Sequence, residues 1–350
     1  MELDHPERQQ GLEPRRRFPT RIILTALIAI VAAALLAAGL ALTKNGSTPI
    51  GTGVVVIETN LAYQGGQAAG TGMVLTSSGE ILTNNHVIRG ATDIKVRVPS
   101  TGRSYAAEVV GYDLTDDVAV LQASGAADLK TAPLGSSSSV DVGQPVQAVG
   151  NAGGTGYLSH ASGTVTSVGR SITVSDDQGG SENLSGLIET NAAVRPGDSG
   201  GPLLNSAGQV IGMDTAASAG NDVAQTTSNQ GYAIPIDKAT SIADQIHSGN
   251  GSDTVHIGGT AFLGVEASAN SYQGAGAVVS AVVPGSAAEA AGLSAGDLIT
   301  SIGGHTISSP DSLSQIVVAQ KPGASIDVVF VDQAGTTQTT NLTLASGPPR

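Results

Sequence analysis

Apolar positions follow three different patterns along this chain. Residues 22–42, IILTALIAIVAAALLAAGLAL, form one uncharged run of 21 residues. At about 1.5 Å per residue, a helix of that length matches a bilayer core of roughly 30 Å. From residue 51 the apolar runs shorten, fill with Val and Ile, and are broken by glycine: 53–58, 70–88, 93–98, 107–112 and 117–123, with TSSGE turning the chain inside the second of them. A second set lies at 144–151, 162–170, 185–191, 201–205, 208–216 and 231–236, after a Ser-rich connection at 135–139. Runs of this length and composition are strands, and two groups of six suggest two packed β-barrels. A helix is expected at 238–248, capped by Asp237, with Ile242 and Ile246 four apart on its inner face.

The third pattern begins after 249–259, GNGSDTVHIGG, which has linker composition. Apolar runs at 262–265, 275–283, 297–304 and 326–332, with a helix at 311–320, describe a small α+β unit, and the final GPPR reads as a frayed tail. The expected organisation is a basic tail at 1–21, a transmembrane helix at 22–42, a linker at 43–50, a β-barrel domain at 51–248, a linker at 249–259 and the α+β domain at 260–345. The fold class is mainly β.

Composition sharpens this picture. In 350 residues there are 47 glycines and only 13% charged residues, which favours tight turns over long surface helices. The net charge is −13; residues 1–44 hold 6 basic and 4 acidic groups, so the remainder stands at −15. A body this acidic repels phosphate backbones and excludes nucleic acid as a partner. The absence of cysteine excludes disulfides, thiol catalysis and Cys-ligated metal. Arg15, Arg16, Arg17 and Arg21 precede the long apolar run and only Lys44 follows closely, which puts the N-terminus in the cytoplasm and the rest outside the cell membrane. A cleaved signal peptide is the competing reading. Against it, the run exceeds the usual 7–15 residues and no clean A-x-A site precedes Lys44.

The chemistry centres on residues 189–204, ETNAAVRPGDSGGPLL. Ser199 is flanked by Gly197, Gly200 and Gly201, so the backbone can turn sharply and aim several N–H groups at one point, as acyl transfer requires. His86 ends the run ILTNNHVI. Of the acids in DLTDDVAVL, Asp117 directly precedes the apolar VAVL and is the one drawn inside, where an imidazole N–H suits it; Asp113, and less clearly Asp116, read as a solvated turn. In one scheme His86 takes the Ser199 proton, Asp117 orients the imidazole, and the N–H groups of Gly197 and Ser199 hold the oxyanion, with no cofactor and no metal. The order His, Asp, Ser is that of chymotrypsin-type enzymes.

The segments 83–87 (TNNHV), 113–121 (DLTDDVAVL), 188–202 (IETNAAVRPGDSGGP), 211–216 (IGMDTA) and 231–235 (GYAIP) together resemble the HtrA (DegP-like) serine proteases, and the C-terminal unit resembles their PDZ domain. The resemblance implies a chymotrypsin-like double β-barrel, the triad His86, Asp117 and Ser199, and a role in protein quality control under stress. It implies unfolded or damaged proteins and peptide C-termini as partners, and a homotrimer, although of the aromatic residues that commonly knit it only Tyr63 is present. It places Ala193, which is uncharged, at the base of the primary pocket, favouring aliphatic over basic side chains; Arg195 reads as an exposed loop residue. It assigns Phe262, Leu263, Gly264 and Val265 to the carboxylate-binding loop of the PDZ unit, with a peptide adding beside Val265 against Leu313 and Ile316. Asp198 stands where many relatives have Asn, and the loop at 151–156, NAGGTG, lacks the Pro-Phe often found there. A PDZ-bearing chaperone or scaffold with little proteolysis is the alternative, and a non-proteolytic esterase a third.

Overall fold

The computed structural model describes residues 49–62, 65–175, 181–215, 230–269 and 275–349. The basic tail, the transmembrane helix expected at 22–42 and Tyr63 lie outside the described residues. Among the described residues no helix is long and apolar enough to cross a membrane.

The first barrel consists of β1 (Val54–Leu61), β2 (Gly66–Val74), β3 (Glu80–Thr83), β4 (Asp93–Arg97), β5 (Ser104–Asp113) and β6 (Val118–Ala123), with the single helical turn α1 (Asn85–Ile88) after β3. These strands lie in the order β5-β4-β1-β2-β3-β6, and pairing of β5 with β6 closes the ring. The second is a closed barrel of β7 (Pro145–Gly150), β8 (Ser159–Ser175), β9 (Ser181–Thr190), β10 (Pro202–Leu204), β11 (Val210–Thr215) and β12 (Gly231–Pro235), followed by α2 (Ile236–His247).

Strand alternation explains why two barrels pack as one body. Val55, Ile81, Ala119 and Leu121 point into the first barrel, while their neighbours Val54, Leu82, Val118 and Val120 join a second core. That second core also takes Val149, Leu187, Met213 and Ile234 from the other barrel and Ile242 and Ile246 from α2. Both faces of these strands are therefore apolar, and each fully buried Val, Leu or Ile contributes about 1.5–3 kcal/mol.

Three local expectations change. Asp237 lies inside the first turn of α2, whose cap position is Pro235. Its carboxylate instead accepts the Ser136 hydroxyl at 2.9 Å and the Ser137 N–H at 3.0 Å, tying the helix to the Ser-rich connection. The segment at 249–259 is not merely a linker: it supplies β13 (Val255–Ile257), which pairs with β5. Backbone pairing overrides a polar composition there. The tail is likewise held, because β21 (Ala345–Gly347) pairs with β14 (Thr260–Phe262) and Gly90 N–H donates to the Pro349 carbonyl at 2.8 Å.

The C-terminal domain adds β15 (Val265–Ala269), β16 (Ala277–Val282), the short α3 (Ala287–Ala290), β17 (Leu298–Ile302), β18 (His305–Thr306), α4 (Pro310–Val318), β19 (Ser325–Val331) and β20 (Thr337–Thr343). Its sheet runs β15-β16-β17-β19-β20 over a core including Leu293, Ile299, Ile302, Leu313, Val328 and Leu342. Strand β20, TQTTNLT, has little apolar signal of its own and forms by pairing with β19 along its whole length. Tyr112 of β5 bonds Thr260 at 2.9 Å and stacks on His256, so the two domains meet at the end of the first barrel.

Candidate active site

His86 is not on a strand. It sits in α1, the turn that follows β3, and its side chain remains 30% exposed while that of Asp117 is 2% exposed. Asp117 opens the chain into β6 with φ of 54°, a left-handed conformation uncommon for residues other than glycine. That backbone turn aims its carboxylate at α1. One oxygen, Oδ1, accepts the His86 backbone N–H at 2.9 Å; Oδ2 lies 2.8 Å from His86 Nδ1 and 3.3 Å from the Thr215 hydroxyl. Three contacts satisfy a buried carboxylate that would otherwise be costly to desolvate. Asn84 completes the clamp by donating to the Asp117 carbonyl at 2.9 Å.

The other two acids separate clearly. Asp113 is buried, contrary to the solvated turn expected for it: Oδ1 accepts the N–H groups of Thr115 and Asp116, and Oδ2 accepts the Thr254 hydroxyl. It shapes the turn that delivers Asp117. Asp116 is half-buried and pairs with Lys238 on α2.

Ser199 sits 4% exposed in the turn between Arg195 and Gly201. Two glycines are required there. At Gly197, φ is +98° and a Cβ would meet the Asn151 carbonyl at 2.2 Å; at Gly200, φ is +83° and a Cβ would meet the Thr71 carbonyl at 2.1 Å. The turn is therefore pressed against backbone on both sides. Thr71, on β2, is what fastens it. Its N–H donates to the Ser199 carbonyl at 2.9 Å, its hydroxyl donates to the Gly197 carbonyl at 2.7 Å and accepts the Asn151 N–H at 2.9 Å, and its carbonyl accepts the Thr83 hydroxyl at 2.7 Å. Thr83 lies three residues before His86, so the Ser199 turn is hydrogen-bonded through Thr71 to the strand that delivers the histidine. From the other side, Gly200 N–H donates to the carbonyl of Asp214, the neighbour of the Thr215 that contacts Asp117.

The loop at 151–156 folds back on the same turn. Gly153 N–H donates to the Pro196 carbonyl at 2.8 Å, and Asn151 Oδ1 accepts the Gly156 N–H at 2.6 Å. A cleft of about 880 Å³ opens here, with Gly153, Gly154, Pro196 and Gly197 on one side and Glu58, Asp93 and Lys95 on the other. Ala193 is half-buried just past β9, and Arg195 is exposed. Among the described residues there is no cluster of side chains that could hold a metal ion.

In the C-terminal domain, Leu263 and Gly264 commit their carbonyls to the N–H groups of Ala288 and Val283. Phe262, Leu263, Gly264 and Val265 line a groove of about 700 Å³, whose other wall is Leu313, Ser314, Val317 and Val318 of α4. Ile316, expected in that wall, is not among the residues lining the groove; it packs, partly buried, against the domain core that Leu313 and Val317 themselves join. Arg89, Gly90, Leu114, Pro348 and Pro349 close the groove on the side of the first barrel.

Thr71, Asn151 and Asp214 did not stand out in the sequence. Threonine and asparagine beside strands are ordinary; only the charge within the otherwise buried VIGMDT of β11 was a usable signal.

Comparisons agree with this layout. A model of the trypsin-like peptidase domain matches residues 70–213, and one of the PDZ domain matches residues 278–331. The chain is 37% identical over 305 residues to the serine protease PepD of Mycobacterium tuberculosis, covering 83% of this chain and 63% of that protein. It is 35% identical over 283 residues to a probable periplasmic serine endoprotease, DegP-like, of a Marinomonas species, covering 80% and 57%. It thus spans about three-fifths of the length of these curated relatives. Among solved structures, a variant of the HtrA-type protease AlgW with a tripeptide aligns at a TM-score of 0.50 and 28% identity, covering 88% of this chain and 98% of that one.

Proposed function

We propose that this chain, in which a match to the trypsin-like peptidase domain is followed by one to a PDZ domain and which is similar to HtrA/DegP-like proteases, is a membrane-anchored serine endopeptidase acting outside the cytoplasm on unfolded or damaged proteins. The observation that carries the reading is the buried Asp117 carboxylate holding His86 by both backbone N–H and ring, beside a serine turn fastened to the same strands. Ser199 is the nucleophile. His86 accepts its proton as it attacks a peptide carbonyl and returns it to the leaving amine, while Asp117 keeps Nδ1 as the donor and stabilises the imidazolium. The N–H groups of Gly197 and Ser199 receive the oxyanion; one such donor is worth about 2.7–4 kcal/mol in the transition state.

Small to medium aliphatic side chains fit a pocket based on the uncharged Ala193, since a basic side chain there would bury an unpaired cation. The groove beside Phe262–Val265 takes a substrate or regulatory peptide as an added strand, its C-terminal carboxylate against the loop. The apolar run at 22–42 anchors the chain, with the two domains outside the cell membrane. The assembly suited to this reading is a homotrimer.

The test is covalent labelling of Ser199 by a fluorophosphonate, together with casein digestion, in the wild type and Ser199→Ala. Labelling and digestion that both vanish in the variant, with turnover reduced on the order of 10⁴-fold or more, support the assignment. A wild type that neither labels nor digests leaves the chaperone or scaffold role in its place. Labelling without casein digestion points to an esterase.

A further inference from the structure

Two carboxyl groups beside the Ser199 turn have no role in the chemistry above. Asp214 on β11 is wholly buried, and neither of its side-chain oxygens has a hydrogen-bond partner among the described residues. Asp198 is 4% exposed; its Oδ2 accepts the Arg195 N–H at 2.9 Å, while its Oδ1 is buried with no partner among the described residues. The backbone brings the two together. Asp214 N–H donates to the Gly201 carbonyl at 2.7 Å, Gly201 N–H to the Asp198 carbonyl at 2.8 Å, and Gly200 N–H to the Asp214 carbonyl at 2.8 Å. Gly201, bonded to Asp214, immediately precedes β10, and Gly150 ends the neighbouring strand β7. Neither has a side chain, and the Asp198 carboxyl occupies that space: a Cβ on Gly150 would lie 2.6 Å from its Oδ1.

Two ionised carboxylates in so small a buried volume repel each other and leave three oxygens without donors. One proton removes the repulsion and pairs two of the three oxygens with each other, because a protonated carboxyl is itself a donor and carboxyls that share a site hold one proton between them. Resting on Ser199 as nucleophile, we propose that Asp214 is a positioning residue: held as the neutral acid, it donates its O–H to Asp198 and so fixes the turn that carries Ser199 and the oxyanion N–H groups.

Burial, and after it the charge of Asp198, pushes the Asp214 carboxyl well above the usual carboxylate range. Burial also raises Asp198, offset in part by the Arg195 N–H and guanidinium. Among the described residues, the other charged groups around β11 are paired or exposed. Asp117 is engaged with His86 and Thr215; on α2, Asp237 is bonded to Ser136, Lys238 to Asp116 and His247 to Glu80, and Asp244 is exposed. Tyr232 on β12 lies opposite Thr215. As pH rises the proton is lost, the two charges repel, and the turn loosens.

The experiment compares full-length wild type, Asp214→Asn and Asp214→Val. Asparagine keeps a donor toward Asp198 but has nothing to titrate; valine donates nothing. Asp214→Val loses on the order of tenfold in kcat with little change in KM, the scale of one unsatisfied buried group, and Asp214→Asn restores it. The alkaline fall in kcat and in fluorophosphonate labelling of the wild type disappears in Asp214→Asn. Infrared spectra of the wild type show a protonated-carboxyl band that the asparagine variant lacks. Superimposable pH profiles of wild type and Asp214→Asn, or a wild type without that band, overturn the proposal. A wild type that takes no label at any pH defeats the protease reading instead, and the infrared band then still reports on the proton.

Discussion

Replacing Thr71 by valine tests whether the Ser199 turn is held by side-chain hydrogen bonds or by packing alone. Valine keeps the branched shape and the strand preference of threonine, and it leaves the backbone bonds from Thr71 N–H to Ser199 and from Thr83 to the Thr71 carbonyl intact. What it removes is one hydroxyl with two partners, the Gly197 carbonyl and the Asn151 N–H. Asn151 is fully buried, so its N–H is left without a partner at a cost of about 1–3 kcal/mol. Gly197 is partly exposed and its carbonyl can turn to water, so that loss is about 1 kcal/mol. The expected destabilisation is therefore about 2–4 kcal/mol, a sizeable share of a stability of about 5–15 kcal/mol. Thr71→Ser keeps the hydroxyl and gives up a methyl, costing about 1 kcal/mol. Urea unfolding of both variants, with the labelling rate of Ser199 as a local probe, measures the difference. Equal destabilisation of the two, or a loss below about 0.5 kcal/mol in the valine variant, would show that the hydroxyl does not hold the turn.

Other expectations follow from the same geometry. Asp117→Asn cripples turnover, because it removes the charge that steadies the imidazolium, whereas Asp116→Asn, which only loosens a half-exposed pair with Lys238, changes turnover by less than about twofold; the reverse ranking in a peptide assay would move the orienting role to Asp116. The raised Asp214 carboxyl makes stability depend on pH in a definite direction: the unfolded chain releases that proton near the ordinary value of 3.8 while the folded chain keeps it, so stability falls as pH rises from there through the folded value. Thermal unfolding should accordingly show Asp214→Asn gaining on the wild type as pH increases, and a constant difference across pH would contradict this. Carbonate washing should leave the full-length protein in the membrane pellet; recovery of a soluble product beginning near residues 40–50 would instead mean that residues 22–42 are a cleaved signal peptide.

What the sequence determined by itself was whatever is written locally. Short Val- and Ile-rich runs specify strands because side chains alternate across a sheet, and Ile242 and Ile246 mark the buried face of α2 because four residues make about one helical turn. Gly197 and Gly200 announced a turn no other residue type could follow without strain, and Asp117 before VAVL announced a carboxylate carried inside. The tertiary structure alone decided which distant residues meet. It placed His86 on a helical turn rather than a strand, buried Asp113, and recruited the polar segments around β13 and β20 into sheets whose neighbours supplied the missing hydrogen bonds. Thr71 and Asp214 belong to the same class: each is an unremarked residue on a strand until closure of the barrels sets it against the Ser199 turn, more than a hundred residues away in one case and across a strand pair in the other. Periodicity and propensity act over a few residues, whereas the partners of a buried polar atom are fixed only when the whole sheet has closed around it.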